Sequence, residues 1–371
     1  MDIGIGVVGC GTISSAYLRN LTRAPGAQVV ALADLDPRRA MAQADAFGVP
    51  LALDPDALLE RDDVDLVVDL TVPAAHYEVN RRAFEAGKMV YCEKPLAATA
   101  AEAHALLDLA ARVGRPLGGA PDTFLGAGLQ TARKALDDAM IGRPFAAVAH
   151  MVTNGPERWH HDPSFLYQPG AGPLLDMGPY YVTAMVSLFG PVASVSAEGG
   201  RTWPERTIAT GPRAGERFAV NVDTHVTLLL RFASGVLASL LTTFDVQASD
   251  LPRFEVFGDR GTLSLPDPNT FAGPVRIRTS GDTTWREVPT LPGFVTNARG
   301  IGALDLVQAE RTGRSPRASG ALAAHALDVL EGGLSAMRTG QRVAIDSRPE
   351  RPGPLSPGEL EALGWAPEVH T

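Results

Sequence analysis

Residues 3–14 read Ile-Gly-Ile-Gly-Val-Val-Gly-Cys-Gly-Thr-Ile-Ser, and this stretch decides the fold. Its apolar first half, Ile3–Val8, is typical of a buried β-strand, and a helical pattern follows it. The turn between them is Gly9-x-Gly11-x-x-Ser14, with serine in the place of a third glycine or alanine. A glycine turn between strand and helix is typical of a dinucleotide pyrophosphate site. The alternative is a tight turn that merely requires positive φ.

Strand and helix patterns alternate over residues 1–120, which predicts an α/β fold with a doubly wound parallel sheet of the Rossmann type. The predicted strands are Ile3–Val8, Val29–Ala33, Leu66–Leu70, Met89–Cys92 and Pro116–Gly119. The predicted helices are Ser14–Arg23, Arg38–Phe47, His76–Ala86 and Ala100–Val113. We therefore expect a cofactor domain over residues 1–120.

Asp34 ends the second predicted strand, about 20 residues after the glycine turn. A carboxylate at this position accepts hydrogen bonds from the adenosine ribose and repels a 2′-phosphate. This favours NAD over NADP. Arg38 and Arg39 keep NADP as an alternative cofactor, because a nearby guanidinium can accommodate its 2′-phosphate.

Residues 90–96 read Val-Tyr-Cys-Glu-Lys-Pro-Leu, so Glu93-Lys94-Pro95 directly follows a predicted strand. Ligands of open α/β sheets bind beyond the carboxyl ends of the strands. We therefore expect Lys94 to point at the molecule that the glycine turn binds.

Residues 121–371 predict a second, α+β domain with a large, mostly antiparallel open sheet, because turns such as Gly258-Asp259-Arg260-Gly261 separate strand patterns. The predicted strands are Phe145–Val152, Ala193–Glu198, Val220–Phe232, Val236–Asp245, Arg253–Gly258, Gly261–Leu265 and Val275–Thr279. Helices within residues 304–338 are expected to pack back on the rest of the chain. An uncovered sheet face indicates a homodimer or homotetramer.

A second polar motif lies in residues 170–181, which read Gly-Ala-Gly-Pro-Leu-Leu-Asp-Met-Gly-Pro-Tyr-Tyr. Pro179 suits a first helical turn, where its missing N–H costs nothing. Asp176 would then precede the helix and Tyr180 would lie in its first turn, so that both face one cleft. The alternatives are a helix N-cap for Asp176 and a half-buried aromatic for Tyr180.

The composition narrows the class of protein. With 371 residues, 45% hydrophobic and 20% charged, the chain fits a soluble two-domain protein. A net charge of −9 without a Lys/Arg-rich block argues against nucleic acid as a partner. Two cysteines exclude a disulfide framework and fit a reducing, cytoplasmic location. The sequence shows neither a signal-peptide pattern nor a membrane-spanning apolar run, so no membrane partner is expected.

The motifs together resemble the Gfo/Idh/MocA oxidoreductases. The resemblance rests on Gly9-x-Gly11 with Asp34, on Glu93-Lys94-Pro95, and on Gly172-x-x-x-Asp176-x-Gly178-x-Tyr180. It implies an NAD(P)-dependent dehydrogenase or reductase that acts on CH–OH groups of a sugar, cyclitol or glycoside. Two alternatives remain: an NAD-dependent glycosidase that uses transient oxidation, and a non-catalytic regulator that senses NAD.

The resemblance also implies site residues. Lys94 would contact the substrate hydroxyl and the nicotinamide ribose, Tyr180 would be the acid/base where many members have His, and Asp176 would orient the substrate hydroxyl or Lys94. The implied cofactor residues are Gly9, Gly11, Thr12, Ile13, Asp34, Thr71, His76, Glu93 and Lys94. The implied substrate residues are Asp122, Phe124, Trp159, His161 and Tyr167. No metal is expected, because adjacent ligands in His160-His161-Asp162 lack a further partner.

Oxidation of a secondary alcohol transfers a hydride to the nicotinamide and requires a base for the hydroxyl proton. Tyrosine, with an ordinary pKa of about 10, is a poor base at neutral pH. A nearby ammonium group favours the phenolate. We therefore expect Lys94 to lower the pKa of Tyr180.

Overall fold

The computed structural model describes residues 2–366, and strands alternate with helices in its first third. These elements are β1 (Ile3–Val8), α1 (Ser14–Leu21), β2 (Ala27–Ala33), α2 (Pro37–Phe47), β3 (Ala52–Leu53), α3 (Pro55–Leu59), β4 (Leu66–Asp69), α4 (Pro73–Glu85), β5 (Met89–Cys92), α5 (Ala100–Val113) and β6 (Leu117–Gly119). The strands form one six-stranded sheet in the order β3-β2-β1-β4-β5-β6. All neighbours in it are parallel, which is the predicted doubly wound arrangement.

This strand order brings the candidate cofactor residues to one edge. β1 lies at the centre of the sheet, between β2 and β4, and β5 follows β4. The glycine turn, Asp34, Thr71 and Lys94 come directly after β1, β2, β4 and β5 respectively. Because carboxyl ends of parallel strands meet at one edge, residues distant in sequence share this edge.

Some element boundaries differ from the sequence-based prediction. α4 begins at Pro73 rather than at His76, because Val72 is extended and Pro73 fits the first helical turn. β3 and α3 were not predicted: β3 has two residues, and α3 depends on Asp54, whose side chain accepts from the Ala57 N–H.

The rest of the chain builds the second sheet and the helices that cover it. Its elements are α6 (Ala127–Asp137), β7 (Pro144–Val152), α7 (Gly172–Phe189), β8 (Val192–Gly200), β9 (Glu205–Thr207), β10 (Arg217–Ala219), β11 (His225–Phe232), β12 (Leu237–Thr243), β13 (Phe254–Gly258), β14 (Gly261–Leu265), β15 (Val275–Thr279), β16 (Arg286–Val288), α8 (Ile301–Thr312), α9 (Gly320–Thr339), β17 (Val343–Ala344) and α10 (Pro357–Ala362). Short 3-10 turns occur at Thr123–Leu125, Pro156–Arg158 and Ser164–Tyr167.

The second sheet has nine strands in the order β16-β15-β14-β13-β7-β12-β11-β8-β17. In the part of the chain that the structure describes, β7 and β12 are the only parallel neighbours of this sheet, so the predicted mostly antiparallel sheet is confirmed. α6, α7 and α9 pack against one face. The opposite face carries Leu229 and Leu237, which are 60% and 47% exposed. The sheet is therefore open on one side, as expected.

Two predictions about the second part of the chain are wrong. The strand predicted from Val220 begins at His225, because the N–H groups of Val220 and Asn221 bond instead to Pro204 and Tyr167 carbonyls outside the sheet. α7 begins at Gly172 rather than at Pro179, because Pro173 occupies its first turn. Asp176 therefore lies inside the helix instead of before it, and Pro179 lies in the helix interior.

The late helices return to the first sheet. α8 packs against α1, β5 and β6, and α9 lies against α5 and β6 as well as against α7 and β8. The close approach of α8 requires Gly302, where a Cβ would lie 2.4 Å from the Tyr91 hydroxyl. A domain boundary at residue 120 stays a prediction. Among residues 2–366, no helix is both long and apolar enough to cross a membrane.

Candidate active site

The two glycines of the first turn serve different purposes. Gly9 has φ +97°, and a Cβ there would lie 2.6 Å from the Leu70 carbonyl carbon, so the fold itself requires glycine. A Cβ on Gly11 would meet nothing within 4 Å. The packing of the protein therefore does not explain Gly11, and open space remains where a ligand can approach the backbone.

The start of α1 fits an anion. Among residues 2–366, the N–H groups of Gly11, Thr12 and Ile13 have no acceptor. Free N–H groups at a helix N-terminus bind phosphate well. Ser14 is buried, and its hydroxyl donates to the Gly11 carbonyl at 2.7 Å, so serine at the third position leaves no polar atom unsatisfied. These features fit the pyrophosphate of a dinucleotide.

Asp34 is anchored beside this turn. Its Oδ2 accepts from the Cys10 N–H at 2.7 Å, and its Oδ1 accepts from the Asp36 N–H at 2.9 Å. A carboxylate offers about four acceptor positions, so capacity remains for ribose hydroxyls. Arg38 donates hydrogen bonds to Asp36 through Nε and Nη2, at 3.0 and 2.9 Å.

Burial and the charge of Asp34 raise the pKa of the Cys10 thiol to about 12.

His76 is fully buried behind the cofactor edge. Its Nδ1 lies 2.7 Å from the Pro95 carbonyl oxygen, and its Nε2 lies 3.1 Å from that of Thr71. His76 therefore ties the turn after β4 to the turn after β5. Three side chains here each offer one atom that can ligate a metal: Asp69, His76 and Cys92. These three atoms lie within 4.8 Å of one another, a spacing that could hold a metal ion. Both His76 nitrogens already contact carbonyls, and Asp69 Oδ1 accepts from the Thr71 hydroxyl at 2.6 Å.

The structure brings Lys94, Asp176 and Tyr180 together. Lys94 Nζ donates to Oδ1 and to the carbonyl oxygen of Asp176, both at 2.8 Å, and lies 5.5 Å from the centroid of the Tyr180 ring. Asp176 and Tyr180 are one helical turn apart on α7, so both face the end of β5. Of the two roles expected for Asp176, the structure shows contact with Lys94.

The pKa of Tyr180 differs from the sequence-based expectation, whereas the direction in which Lys94 acts on it does not. Burial opposes the charge of Lys94, but Asp176 and Tyr180 outweigh it, so the pKa of Lys94 is raised. Burial raises the pKa of Tyr180, although the charges of Lys94 and Arg299 act to lower it. Lys94 thus acts in the expected direction, but the net pKa of Tyr180 lies above its ordinary value.

Glu93 holds the turn that carries Lys94. It is 7% exposed, and its Oε1 accepts from the Tyr17 hydroxyl at 2.9 Å. Its Oε2 accepts from the Lys94 N–H at 2.6 Å. This carboxylate connects α1 to the lysine turn, and its predicted contact with the cofactor stays a prediction.

The predicted substrate residues Asp122 and Phe124 are both buried. Asp122 Oδ2 accepts from the N–H groups of Gly300 and Gly302, at 2.8 and 3.0 Å, and so caps the start of α8. Burial raises the pKa of Asp122 to about 6. The structure shows a capping function for Asp122, and a place for either residue in the substrate pocket stays a prediction.

The aromatic stretch before α7 is divided between surface and interior. Trp159 is 70% exposed and contacts His160, which stacks on His161 with centroids 4.9 Å apart. Tyr167 is fully buried and donates its hydroxyl to Glu157. Within the described chain, none of these side chains bonds to Lys94, Asp176 or Tyr180. Their predicted role in substrate binding stays a prediction.

Arg299 is a site residue that sequence reasoning missed. Its guanidinium carbon lies 5.9 Å from the centroid of the Tyr180 ring, and Nη2 donates to Asn269 Oδ1 at 2.8 Å. The only local signal is Gly300, directly before α8, which places Arg299 on an irregular segment. Nothing in that segment resembles a catalytic motif.

Two family models match the sequence. Residues 3–118 match the oxidoreductase family with an NAD-binding Rossmann fold, and residues 129–264 match the GFO/IDH/MocA C-terminal domain. The first match includes the glycine turn and Lys94, and the second includes Asp176 and Tyr180. NAD is thereby confirmed as the cofactor class.

Two named relatives are similar over most of this chain. D-apiose dehydrogenase of Paraburkholderia graminis is 30% identical over 269 residues, which cover 70% of this chain and 66% of the relative. Inositol 2-dehydrogenase 1 of Saccharopolyspora erythraea is 31% identical over 276 residues, which cover 73% of this chain and 76% of the relative. The alignment thus spans just under two thirds of the first relative's length.

Solved structures share the fold. Levoglucosan dehydrogenase in complex with NADH superposes with a TM-score of 0.81 at 22% identity, covering 94% of this chain and 100% of that one. An oxidoreductase domain protein from Kribbella flavida gives 0.79 at 26% identity, covering 93% and 99%. The predicted fold class is confirmed over nearly the whole chain.

Alanine at Gly9 and at Gly11 is expected to have opposite effects. Gly9→Ala should lower the free energy of unfolding by about 2–4 kcal/mol, because of its positive φ and the contact with Leu70. Gly11→Ala should leave that energy within about 0.5 kcal/mol but weaken NAD binding at least ~10-fold. Denaturant unfolding and calorimetric NAD titration measure both. Equal destabilisation by the two variants would contradict this division of roles.

Asp34→Asn is expected to narrow the preference for NAD over NADP. The variant removes the charge that repels a 2′-phosphate and replaces one acceptor oxygen of Asp34 by an NH2 donor, so NAD should bind about 10-fold more weakly and NADP more tightly. Asp45→Asn makes the same charge change on an exposed position of α2 and is the control. Dissociation constants for both cofactors are the measurement, and an unchanged ratio for Asp34→Asn would refute the assignment.

Proposed function

We propose that this chain, which belongs to the Gfo/Idh/MocA family of NAD-binding oxidoreductases, is a dehydrogenase or reductase of secondary hydroxyl groups in sugars, cyclitols or glycosides. One observation carries the proposal: Lys94 contacts Asp176 beside the Tyr180 ring, at the edge of the sheet whose glycine turn fits NAD. The relatives named for apiose and inositol support this substrate class.

In this reaction the nicotinamide supplies or accepts a hydride. The chain must bind the substrate hydroxyl and manage its proton. An ammonium group has three N–H donors, and Lys94 uses two on Asp176, so one remains for the substrate oxygen. Asp176 fixes the direction of that donor. Tyr180 then exchanges the proton with the same oxygen.

The raised pKa of Tyr180 bears on the direction of the reaction. A phenol with a raised pKa stays protonated at neutral pH and serves as an acid in ketone reduction. Alcohol oxidation instead needs the phenolate, whose population grows as pH rises toward the pKa. We therefore expect oxidation to be favoured by alkaline pH and reduction to proceed at neutral pH.

Loss of either reactive group is expected to lower kcat strongly. Lys94→Ala and Tyr180→Phe should each lower kcat about 100-fold or more, because each removes a group that acts on the reacting hydroxyl. Tyr181→Phe is the matched control, since its hydroxyl faces Asp267 at 3.4 Å. NADH absorbance with a panel of cyclitols, aldoses and glycosides measures turnover. Tight NAD binding without turnover of any member would refute the proposed function.

We also propose that the chain forms a homodimer or homotetramer through the open face of the second sheet. Leu229 and Leu237 protrude there, and Val148, Leu241 and Phe257 are half-buried beside them. Exposed apolar side chains on an uncovered sheet face are typical of an interface. The free, buried Cys10 and Cys92 support a reducing, cytoplasmic location.

Leu229→Arg is expected to dissociate the oligomer, because it buries a charge without a partner in an apolar interface. Light scattering should then report a smaller mass than for the unaltered chain. Val113→Arg, at an exposed position on α5, is the control and should leave the mass unchanged. A monomeric unaltered chain would refute the proposed assembly.

A further inference from the structure

The ammonium group of Lys94 is paired with Asp176 beside Tyr180. Its ammonium lies 2.8 Å from Oδ1 of Asp176, and both side chains are mostly buried, at 17% and 26% exposed. Two opposite charges this close act on a third group as a dipole, whose field decays faster than that of a single charge. The effect of Lys94 on a Tyr180 phenolate is therefore smaller than that of an unpaired ammonium, although Lys94 remains the largest influence that lowers the pKa of Tyr180.

Arg299 lies against the same ring, and the carboxylates of Asp122 and Glu93 act on it through space rather than by direct contact. Among residues 2–366 it forms no salt bridge, and its side chain donates to the amide oxygens of Asn269 and Asn297, at 2.8 and 3.2 Å. A guanidinium has five N–H donors, so most of them remain. The charge of Arg299 acts to lower the pKa of Tyr180.

Three separate parts of the chain hold the segment that carries Arg299. Asn20 on α1 donates to the carbonyl oxygens of Arg299 and Asn297, at 2.8 and 3.2 Å. Asp122, after β6, accepts from the N–H groups that follow Arg299. Asn269, between β14 and β15, accepts a hydrogen bond from the guanidinium group itself. A charged group held in this way needs no reorganisation when it stabilises developing charge.

We propose that Arg299 is a positioning residue that stabilises the phenolate form of Tyr180, and that it acts through Tyr180 rather than on the substrate. The proposal rests on the proposed function. In alcohol oxidation the O–H and C–H bonds of the carbinol both break and a C=O bond forms: the proton moves to Tyr180 Oη, and the hydride, with its two electrons, would pass to NAD.

The charged groups that face Tyr180 come from three elements. Lys94 and Glu93 lie on the turn after β5, Arg299 lies before α8, and Asp176 lies on α7 itself. Burial and Glu93 disfavour the phenolate, whereas Lys94 and Arg299 favour it. Without Arg299, the balance shifts toward the neutral phenol.

The test is the pH dependence of kcat for Arg299→Gln in the NAD-loaded enzyme, with a sugar or cyclitol that the unaltered enzyme oxidises. A unit charge about 6 Å away at an effective dielectric constant of ~20 changes a pKa by about 2 units. In a plot of kcat against pH, the rise of kcat should therefore move about 1–2 units to higher pH. At neutral pH kcat should fall about 10- to 100-fold, with little change in KM or in NAD binding.

Two variants separate this effect from others. Arg299→Lys keeps the charge and should retain most of the original pH profile, which a purely structural role would not predict. Arg278→Gln removes an exposed charge on β15 and should leave the profile unchanged. An unshifted rise of kcat for Arg299→Gln would overturn the proposal. So would a loss confined to the KM of acidic substrates, because Arg299 would then bind the substrate.

A second measurement decides the proposal even without turnover. Ultraviolet difference titration of the unaltered enzyme against Tyr180→Phe reports ionisation of Tyr180, and the same pair in the Arg299→Gln background reports its shift. An upward shift of about 1–2 pH units supports the role of Arg299, and no shift refutes it. If the shift appears but no substrate is oxidised, the proposed function fails and the role of Arg299 stands.

Discussion

The rest of the site depends on the contact of the Lys94 ammonium with Asp176. It joins the edge of the parallel sheet to α7, a helix of the second part of the chain. A mostly buried ammonium must be paired to be stable, and its partner Asp176 lies one helical turn before Tyr180 on α7. The same pairing offsets part of the charge of Lys94, so the ionisation of Tyr180 depends on Arg299 and Glu93 as well.

Around this contact, buried polar groups connect turns rather than meet solvent. His76 joins the turns at Thr71 and Pro95, Glu93 joins α1 to the lysine turn, and Asp122 holds the start of α8. Buried polar networks that are satisfied make a structure rigid. A hydride transfer requires well-aligned partners, and this rigidity holds the turns that carry the reactive groups in place.

Local patterns sufficed for much of the fold and for the central residues of the site. The strands of the first sheet could be read from apolar runs, and Glu93-Lys94-Pro95 and Asp176-x-Gly178-x-Tyr180 pointed to one cleft. The start of α7 was wrong, because either Pro173 or Pro179 satisfies the rule for a first turn and only packing selects between them. The surrounding elements bury Tyr180 and so raise its pKa, whereas the sequence-based analysis expected Lys94 to lower it. No local pattern in the sequence indicates this burial.

The sequence by itself determined the parallel sheet, the glycine turn, the preference for NAD indicated by Asp34, and the pairing of a lysine motif with an aspartate–tyrosine motif. The first three depend on spacing along the chain and on side-chain periodicity, which local physics dictates, whereas the pairing of the two motifs was implied by the resemblance to the Gfo/Idh/MocA family. Only the tertiary structure decided that His76 and Asp122 act inside the protein and that Arg299 lies at Tyr180. Such contacts join segments far apart in sequence, and their electrostatics follow from burial, which no local pattern encodes.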